Sequence, residues 1–287
     1  AASWTPCAKA SGSDDGCKGN ISEIKDSRPN NIGNGGDPAG RPYVTCKYVM
    51  YSPQHTRGFP TVNDDFHGMR VTVMGLGSFG GGIGAARFLA MHGARVTVTD
   101  TKPAHELAAS VAALDGLGIR FVLGGHDEAD FTGADMVVAS PVVPRESPLL
   151  AAARRAGVRL STEVGLFVER CPASVCGVTG SNGKTTTVSM IGAALAASGL
   201  PYEVGGNIGR SLLDSLPLIT TDTRVVLELS SFQLEWLGEM GWSPHIAAVL
   251  NIMPNHLDRH GTFEAYASAK AAILSHQRPD DIAALVI

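Results

Sequence analysis

Gly180-Ser181-Asn182-Gly183-Lys184-Thr185-Thr186-Thr187 decides the fold of this chain. An apolar run, Val175 to Val178, precedes it and reads as a strand; Val188 to Ala197 follows and reads as a helix. A glycine turn feeding a helix N-terminus leaves several backbone N–H groups unpaired and aimed at one point. Together with the helix dipole they form a phosphate cradle. Lys184 has the reach to meet a nucleotide's terminal phosphates, and the Thr185 hydroxyl is placed to ligate Mg²⁺. The nucleotide-binding residues read from this stretch are Gly180, Ser181, Asn182, Gly183, Lys184, Thr185 and Thr186. The common phosphate-loop spacing has a glycine where Val178 stands here, between Gly177 and Gly180, so the motif is a variant.

Working outward, 287 residues with 44% hydrophobic and 17% charged side chains predict a globular chain of about two domains. A net charge of −4 gives no basic field for nucleic acid or an anionic membrane. No apolar run approaches the roughly 20 residues of a membrane helix. The N-terminus lacks the basic start and apolar core of a secretory leader, so a cytoplasmic location is expected. The five cysteines show no metal spacing, and Cys171 and Cys176 are too far apart for a CxxC pair, which points to free thiols.

Residues 1–68 are crowded with Gly, Pro, Ser, Asn and Asp, too little apolar surface to offset the entropy of ordering. A disordered or non-native extension is expected there, with Met69 as the native start; a functional disordered arm is the alternative. From Met69 strands and alanine-rich helices alternate. Candidate strands are Arg70–Met74, Arg95–Thr99, Ile119–Leu123, Met136–Ala139 and Val158–Ser161, with helices at 83–92 and 147–156. This predicts an α/β fold, a Rossmann-like doubly wound parallel sheet, over 69–170. A second α/β unit spans 171–287, with strands at 175–179, 224–229 and 246–251 and helices at 185–198 and 262–275. Val188, Ile191 and Leu195 share one helix face. Ala284-Leu285-Val286-Ile287 reads as a further strand, so the second unit is expected to be incomplete and the chain truncated.

Gly75-Leu76-Gly77-Ser78-Phe79-Gly80 follows the first strand and matches the dinucleotide fingerprint, with Asp100 closing the second strand. Alone this suggests NAD and an oxidoreductase, although the turn itself requires only a diphosphate. Gly81, Gly82 and Gly84 prolong the run, as a looser ligand site or as close helix–sheet packing. Glu228 ends a strand beside the phosphate loop, where such folds place a metal-ordering acid; a solvated strand end is the other reading. His256 and His260 have the spacing of a zinc helix without HExxH around them, so zinc is not expected. His256 follows a third strand end, and Lys270 reads by itself as a surface lysine.

Four separated motifs, taken in order, resemble the Mur ligase family. They are Ser181-Asn182-Gly183-Lys184-Thr185-Thr186, Gly205-Gly206-Asn207-Ile208-Gly209, Glu228-Leu229-Ser230-Ser231-Phe232-Gln233-Leu234 and His256-Leu257-Asp258-Arg259-His260. With a GxGxxG first domain, the chain is most similar to members that join D-glutamate to UDP-N-acetylmuramoyl-L-alanine in cytoplasmic peptidoglycan precursor synthesis. The resemblance runs from Met69 to the last residue. It implies an ATP-dependent ligase with two Mg²⁺ ions, forming an acyl phosphate that the D-glutamate amine attacks. It implies catalytic roles for Lys184, Glu228, His256 and Lys270, the last carbamylated, and metal ligation by Thr185, Glu228, His256 and that carbamate. The UDP diphosphate would lie on Gly75, Gly77, Ser78, Phe79 and Gly80. Asp100, Thr101 and Lys102 would face the uracil, Ser140 the sugar side of the nucleotide, and Asn207 the L-alanine end. A monomer is expected, with no nucleic-acid or membrane partner. Two departures stand out. Asn255 replaces the aspartate usual before the metal histidine, and the family's third domain is missing, which implies weak UDP-sugar binding without turnover by these 287 residues. A fragment that only binds nucleotide is the non-enzymatic alternative.

Overall fold

Short β-branched runs separated by alanine-rich segments favour parallel strands joined by helical crossovers. The computed structural model describes residues 46–49, 66–76 and 80–286 and contains two such sheets. The first has strands β2 (Arg70–Met74), β3 (Arg95–Asp100), β4 (Arg120–Leu123), β5 (Met136–Ala139) and β6 (Arg159–Ser161), all parallel, in the order β4-β3-β2-β5-β6. Helices α1 (Gly81–Met91), α2 (Ala108–Ala112), α3 (Glu128–Thr132), α4 (Pro148–Arg155) and α5 (Glu163–Arg170) cross over or follow them. This is the doubly wound sheet expected from the sequence. Its strand order reverses between β2 and β5, the position at which such sheets open a crevice.

The second sheet is β1-β11-β10-β7-β9-β8, built from β1 (Cys46–Val49), β7 (Ser174–Thr179), β8 (Tyr202–Gly206), β9 (Arg224–Glu228), β10 (Ile246–Val249) and β11 (Ile282–Val286). Only β1 runs antiparallel. Helices α6 (Lys184–Ser198), α7 (Ser231–Glu239), α8 (Leu257–His260) and α9 (Phe263–Ala271), with a 3-10 helix at Leu212–Leu218, complete this half. β7 sits centrally, so the phosphate loop at its end is flanked by the ends of β9 and β10.

Two expectations need correction at the start of the chain. Residues 46–49 fall in the segment expected to lack structure, yet they pair with β11. The outer side of β11 offers a row of backbone donors and acceptors, and Cys-Lys-Tyr-Val is a β-compatible run that takes it. Ordered structure also begins before Met69. Phe66 is buried, edge-on to Phe88 at 5.9 Å, with the Arg170 guanidinium 4.7 Å over its ring. The remaining residues of the expected extension lie outside the described ones.

Two glycines in the run after the fingerprint, Gly82 and Gly84, are explained by close packing, whereas a methyl group on Gly81 would meet nothing closer than 3.9 Å. A methyl group on Gly82 would overlap the carbonyl oxygens of Gly75 and Leu76, and one on Gly84 would overlap Ser211, which caps the 3-10 helix of the other half. α1 therefore lies directly on its own turn and on the second unit. The apolar core continues across this seam, from Val71, Leu76 and Leu89 to Leu212, Leu213 and Leu227. Among the described residues no helix is long and apolar enough to cross a membrane.

Candidate active site

The phosphate loop follows β7 directly. Gly183 caps α6 with a φ of 80°, a left-handed conformation that favours glycine. Gly180 passes close to Leu250, where a methyl group would come within 3.1 Å. Val178 explains the variant spacing: it is fully buried, still inside the strand, and packs with Val188 and Val226 beneath the loop. The loop is stitched to the segment after β10. Asn182 N–H donates to Asn251 Oδ1 (2.9 Å), Asn251 Nδ2 returns a bond to Asn182 O (3.0 Å), and Met253 N–H donates to Ser181 Oγ (2.9 Å). Ser181 also meets the Tyr266 hydroxyl at 2.9 Å.

Two lysines converge on this loop. Lys184 Nζ donates to Gly180 O (3.0 Å) and Ser181 O (3.3 Å), so its ammonium is curled over the loop's carbonyls. Lys270 Nζ donates to the same Gly180 O (3.0 Å) and to Thr179 Oγ1 (3.3 Å). The surface reading of Lys270 was wrong: it is 2% exposed, on the inner face of α9, with Nζ 4.8 Å from the Tyr266 ring. Burial, and secondarily the charge of Lys184, lowers its pKa from 10.5 to about 8. The folded protein therefore releases this proton more readily than the unfolded chain, so stability from this group rises with pH between about 8 and 10.5. Wild type should gain roughly 2–3 kcal/mol over Lys270→Met across that window in urea denaturation. A difference that stays flat from pH 8 to pH 10.5 would contradict this placement.

Glu228 is 2% exposed, which removes the solvated-strand-end reading. Its Oε2 accepts from Thr185 Oγ1 at 2.7 Å and its Oε1 from Asn207 Nδ2 at 3.1 Å. Asn207 is held there by its own N–H, which donates to Glu228 O at 2.8 Å. Thr185, Glu228 and Asn207 thus form one cluster. His256 is exposed and adopts a left-handed conformation with φ of 51°, its N–H donating to Asn255 Oδ1. The ring of Phe232 lies 5.3 Å from His256 and stacks on His260 at 5.4 Å. His260 is turned inward to Ser231 and Glu235, so it supports the loop from behind.

A cleft of about 770 Å³ joins the two halves. Gly75, Gly81, Lys102, Ser140 and Glu163 line one side; Asn207, Phe232, Gln233 and His256 line the other. Of the residues singled out in the sequence, Gly75, Lys102, Ser140, Asn207 and His256 meet in this space, while Gly80 caps α1 at its edge. Asp100 does not line it. Its carboxylate faces inward, accepting from Leu76 N–H and Lys102 N–H at 2.9 Å each, and it braces the glycine turn rather than presenting itself to a base. Thr101 is exposed beside it, and Gly77, Ser78 and Phe79 lie outside the described residues. Sequence reasoning gave no role to Glu163, Asn251 and Tyr266, nor to Phe232 and Gln233, although these two lie in one of the motifs that carry the resemblance. Ser230 and Gln233 form a capping box at the start of α7, a signal visible in Ser-x-x-Gln; Glu163 carried no comparable local cue.

Comparison with known proteins agrees with this geometry. Residues 69–162 match the family model described as "Mur ligase MurD-like, N-terminal domain", and residues 178–287 match "Mur ligase middle domain". The protein named UDP-N-acetylmuramoylalanine--D-glutamate ligase in Roseiflexus sp. (strain RS-1) is 53% identical over 218 residues, 76% of this chain and 47% of that protein. Its namesake in Geobacter metallireducens is 46% identical over 221 residues, 77% of this chain and 48% of that protein. The chain thus spans about half the length of the curated relatives it matches. A solved UDP-N-acetylmuramate:L-alanyl-gamma-D-glutamyl-meso-diaminopimelate ligase from Neisseria meningitides shares the fold, with a TM-score of 0.50 at 20% identity over 74% of this chain and 69% of that one. A glycine-turn sheet set against a phosphate-loop sheet, each matched by its own model, gives one conclusion: the chain belongs to the Mur ligase family.

Proposed function

We propose that the chain is the UDP-substrate- and ATP-binding part of a cytoplasmic ligase that joins D-glutamate to UDP-N-acetylmuramoyl-L-alanine. One observation carries this assignment: Asn207 both lines the cleft that starts at the glycine turn and bonds Glu228, which holds Thr185 of the phosphate loop. A ligand bound in the first unit, 69–170, can therefore present its free end to a triphosphate held by the second, 171–287.

In the reaction the terminal carboxylate of UDP-N-acetylmuramoyl-L-alanine attacks the γ-phosphorus of ATP and ADP departs. The D-glutamate amine then adds to the acyl phosphate, and inorganic phosphate leaves as the amide forms. Such transfer is chiefly positioning and charge neutralisation. The N–H groups at the start of α6 cradle the phosphates, and Lys184 exchanges its loop carbonyls for phosphate oxygens. Asn207 aligns the L-alanine end, and Lys102 and Ser140 hold the nucleotide end. Thr185 and Glu228 are the hard oxygen donors that Mg²⁺ takes, and His256 with carbamylated Lys270 would hold a second ion. Bound there, Mg²⁺ supplies charge neutralisation on the transferring phosphoryl group. The lowered pKa of Lys270 favours the neutral amine, the form that reacts with CO₂. The carbamate's negative charge would also turn the repulsion from Lys184 into attraction.

Equilibrium titrations test the assignment against the oxidoreductase alternative. UDP-N-acetylmuramoyl-L-alanine should bind saturably and NAD should not; NAD binding without the UDP ligand would overturn it.

A further inference from the structure

Among the described residues, Glu163 is the one acidic side chain in the wall of the cleft. It opens α5 and lies against the first turn of α1, where a methyl group on Gly81 would sit 3.9 Å from its Cβ. An anion captured by the N-terminus of α1 would rest beside that turn. The carboxylate also bridges the two halves. It accepts from Ser211 Oγ at 2.5 Å, and Ser211 in turn accepts from Leu213 N–H at 3.3 Å as the cap of the 3-10 helix. The charged groups around it come from several elements. Asp214 stands on the 3-10 helix, tied to Arg87 of α1 at 3.1 Å, while Lys102 lines the same side of the cleft and His256 the opposite one. Part of Glu163 faces the cleft, but most of it is enclosed. Burial raises its pKa to about 7; Asp214 adds to the rise, and hydrogen bonds from Ser211 and Leu212 offset part of it.

We propose that Glu163 couples occupancy of the cleft to proton uptake: an anionic diphosphate binds together with a proton on this carboxyl, which then donates a hydrogen bond where an ionised group would repel. The proposal rests on the assignment of the cleft to a UDP ligand. A second negative charge within about 4–6 Å strengthens a carboxyl's hold on its proton, more so in an enclosed wall. Above pH 7 the free protein is mostly ionised at Glu163, so binding must recruit the proton from solvent.

Calorimetric titration with UDP-N-acetylmuramoyl-L-alanine at pH 8, in two buffers of different ionisation enthalpy, tests this directly. The diphosphate diester and the carboxylate of that probe do not titrate near pH 8. Wild type should take up close to about one proton per ligand, with affinity falling up to about tenfold per pH unit above 8. Glu163→Gln keeps the shape and a hydrogen-bonding partner for Ser211, so it should bind with no proton uptake and a flatter pH profile. Independently of any variant, the infrared carbonyl stretch of a protonated carboxyl should grow when ligand is added to wild type. Binding by wild type without proton uptake overturns the proposal and leaves the ligand assignment standing. Uptake undiminished in Glu163→Gln assigns the proton to another wall group, such as His256, and also overturns it. Failure of wild type to bind the probe at all overturns both.

Discussion

Lys184→Met is expected to weaken binding of ATP with Mg²⁺ by about 10²–10³-fold while leaving the UDP ligand's affinity within about twofold. The side chain starts α6 and its ammonium is held by two loop carbonyls, Gly180 O and Ser181 O. Those bonds are replaceable by water in the variant, so methionine of similar length should keep the fold. What methionine lacks is charge and donors for the terminal phosphates. Hydrogen bonds to charged groups contribute about 1.5–3 kcal/mol each, and two near the lower end of that range, about 3–4 kcal/mol together, give the expected 10²–10³-fold. In the proposed assignment the UDP ligand uses a different helix start, that of α1, beside the first sheet. Fluorescence titration with an ATP analogue and calorimetry with the UDP ligand separate the two effects. Loss of both affinities together would mean that the pockets are not independent.

The second large effect is expected at Gly206, the last residue of β8. Its φ of 96° lies where side chains are strained, and a methyl group there would sit closer than 3.0 Å to the Glu228 carbonyl oxygen. Relief requires β8 to move off β9, which breaks the bond from Asn207 N–H to that carbonyl. Strain and overpacking together should make Gly206→Ala less stable by about 3 kcal/mol. Gly209→Ala is the control, because Gly209 has a φ of 72° with open space around it and should lose only about 1 kcal/mol. Urea denaturation of both variants decides the point. Equal losses would show that overlap with Glu228 is not what fixes glycine at 206.

Much of the architecture was legible because burial on both faces leaves strands as uninterrupted apolar runs. Arg70–Met74 and Met136–Ala139 were read to the residue, each bounded by a glycine turn or a polar residue. β8 was missed because Tyr-Glu-Val-Gly-Gly has neither alternation nor a sustained apolar run. The phosphate loop and Glu228 were legible because they sit at or just after strand ends, where chemistry collects in such folds; Asn207 came only from the family resemblance, since the strand before it was not read. Lys270 was misread although its spacing held the clue. Tyr266, Lys270 and Ile273 fall on one helical face and all three are buried. An apolar face with one lysine usually means a lysine at its edge; here Thr179 and Gly180 O receive the ammonium inside. Glu163 was beyond local reading altogether, since Ser211 lies 48 residues away and the pair exists only once the halves dock.

The central claim is that two helix starts, those of α1 and α6, hold two different phosphates around one shared space. A crystal structure of the chain with both UDP-N-acetylmuramoyl-L-alanine and a non-hydrolysable ATP analogue tests it most directly. The expected density has the uridine diphosphate along Gly75 to Gly81, the triphosphate along Gly180 to Thr186, and the L-alanine carboxylate near Asn207, pointing at the γ-phosphate. A triphosphate bound away from Lys184, or a UDP ligand whose free end turns away from Asn207 and Glu228, would contradict it.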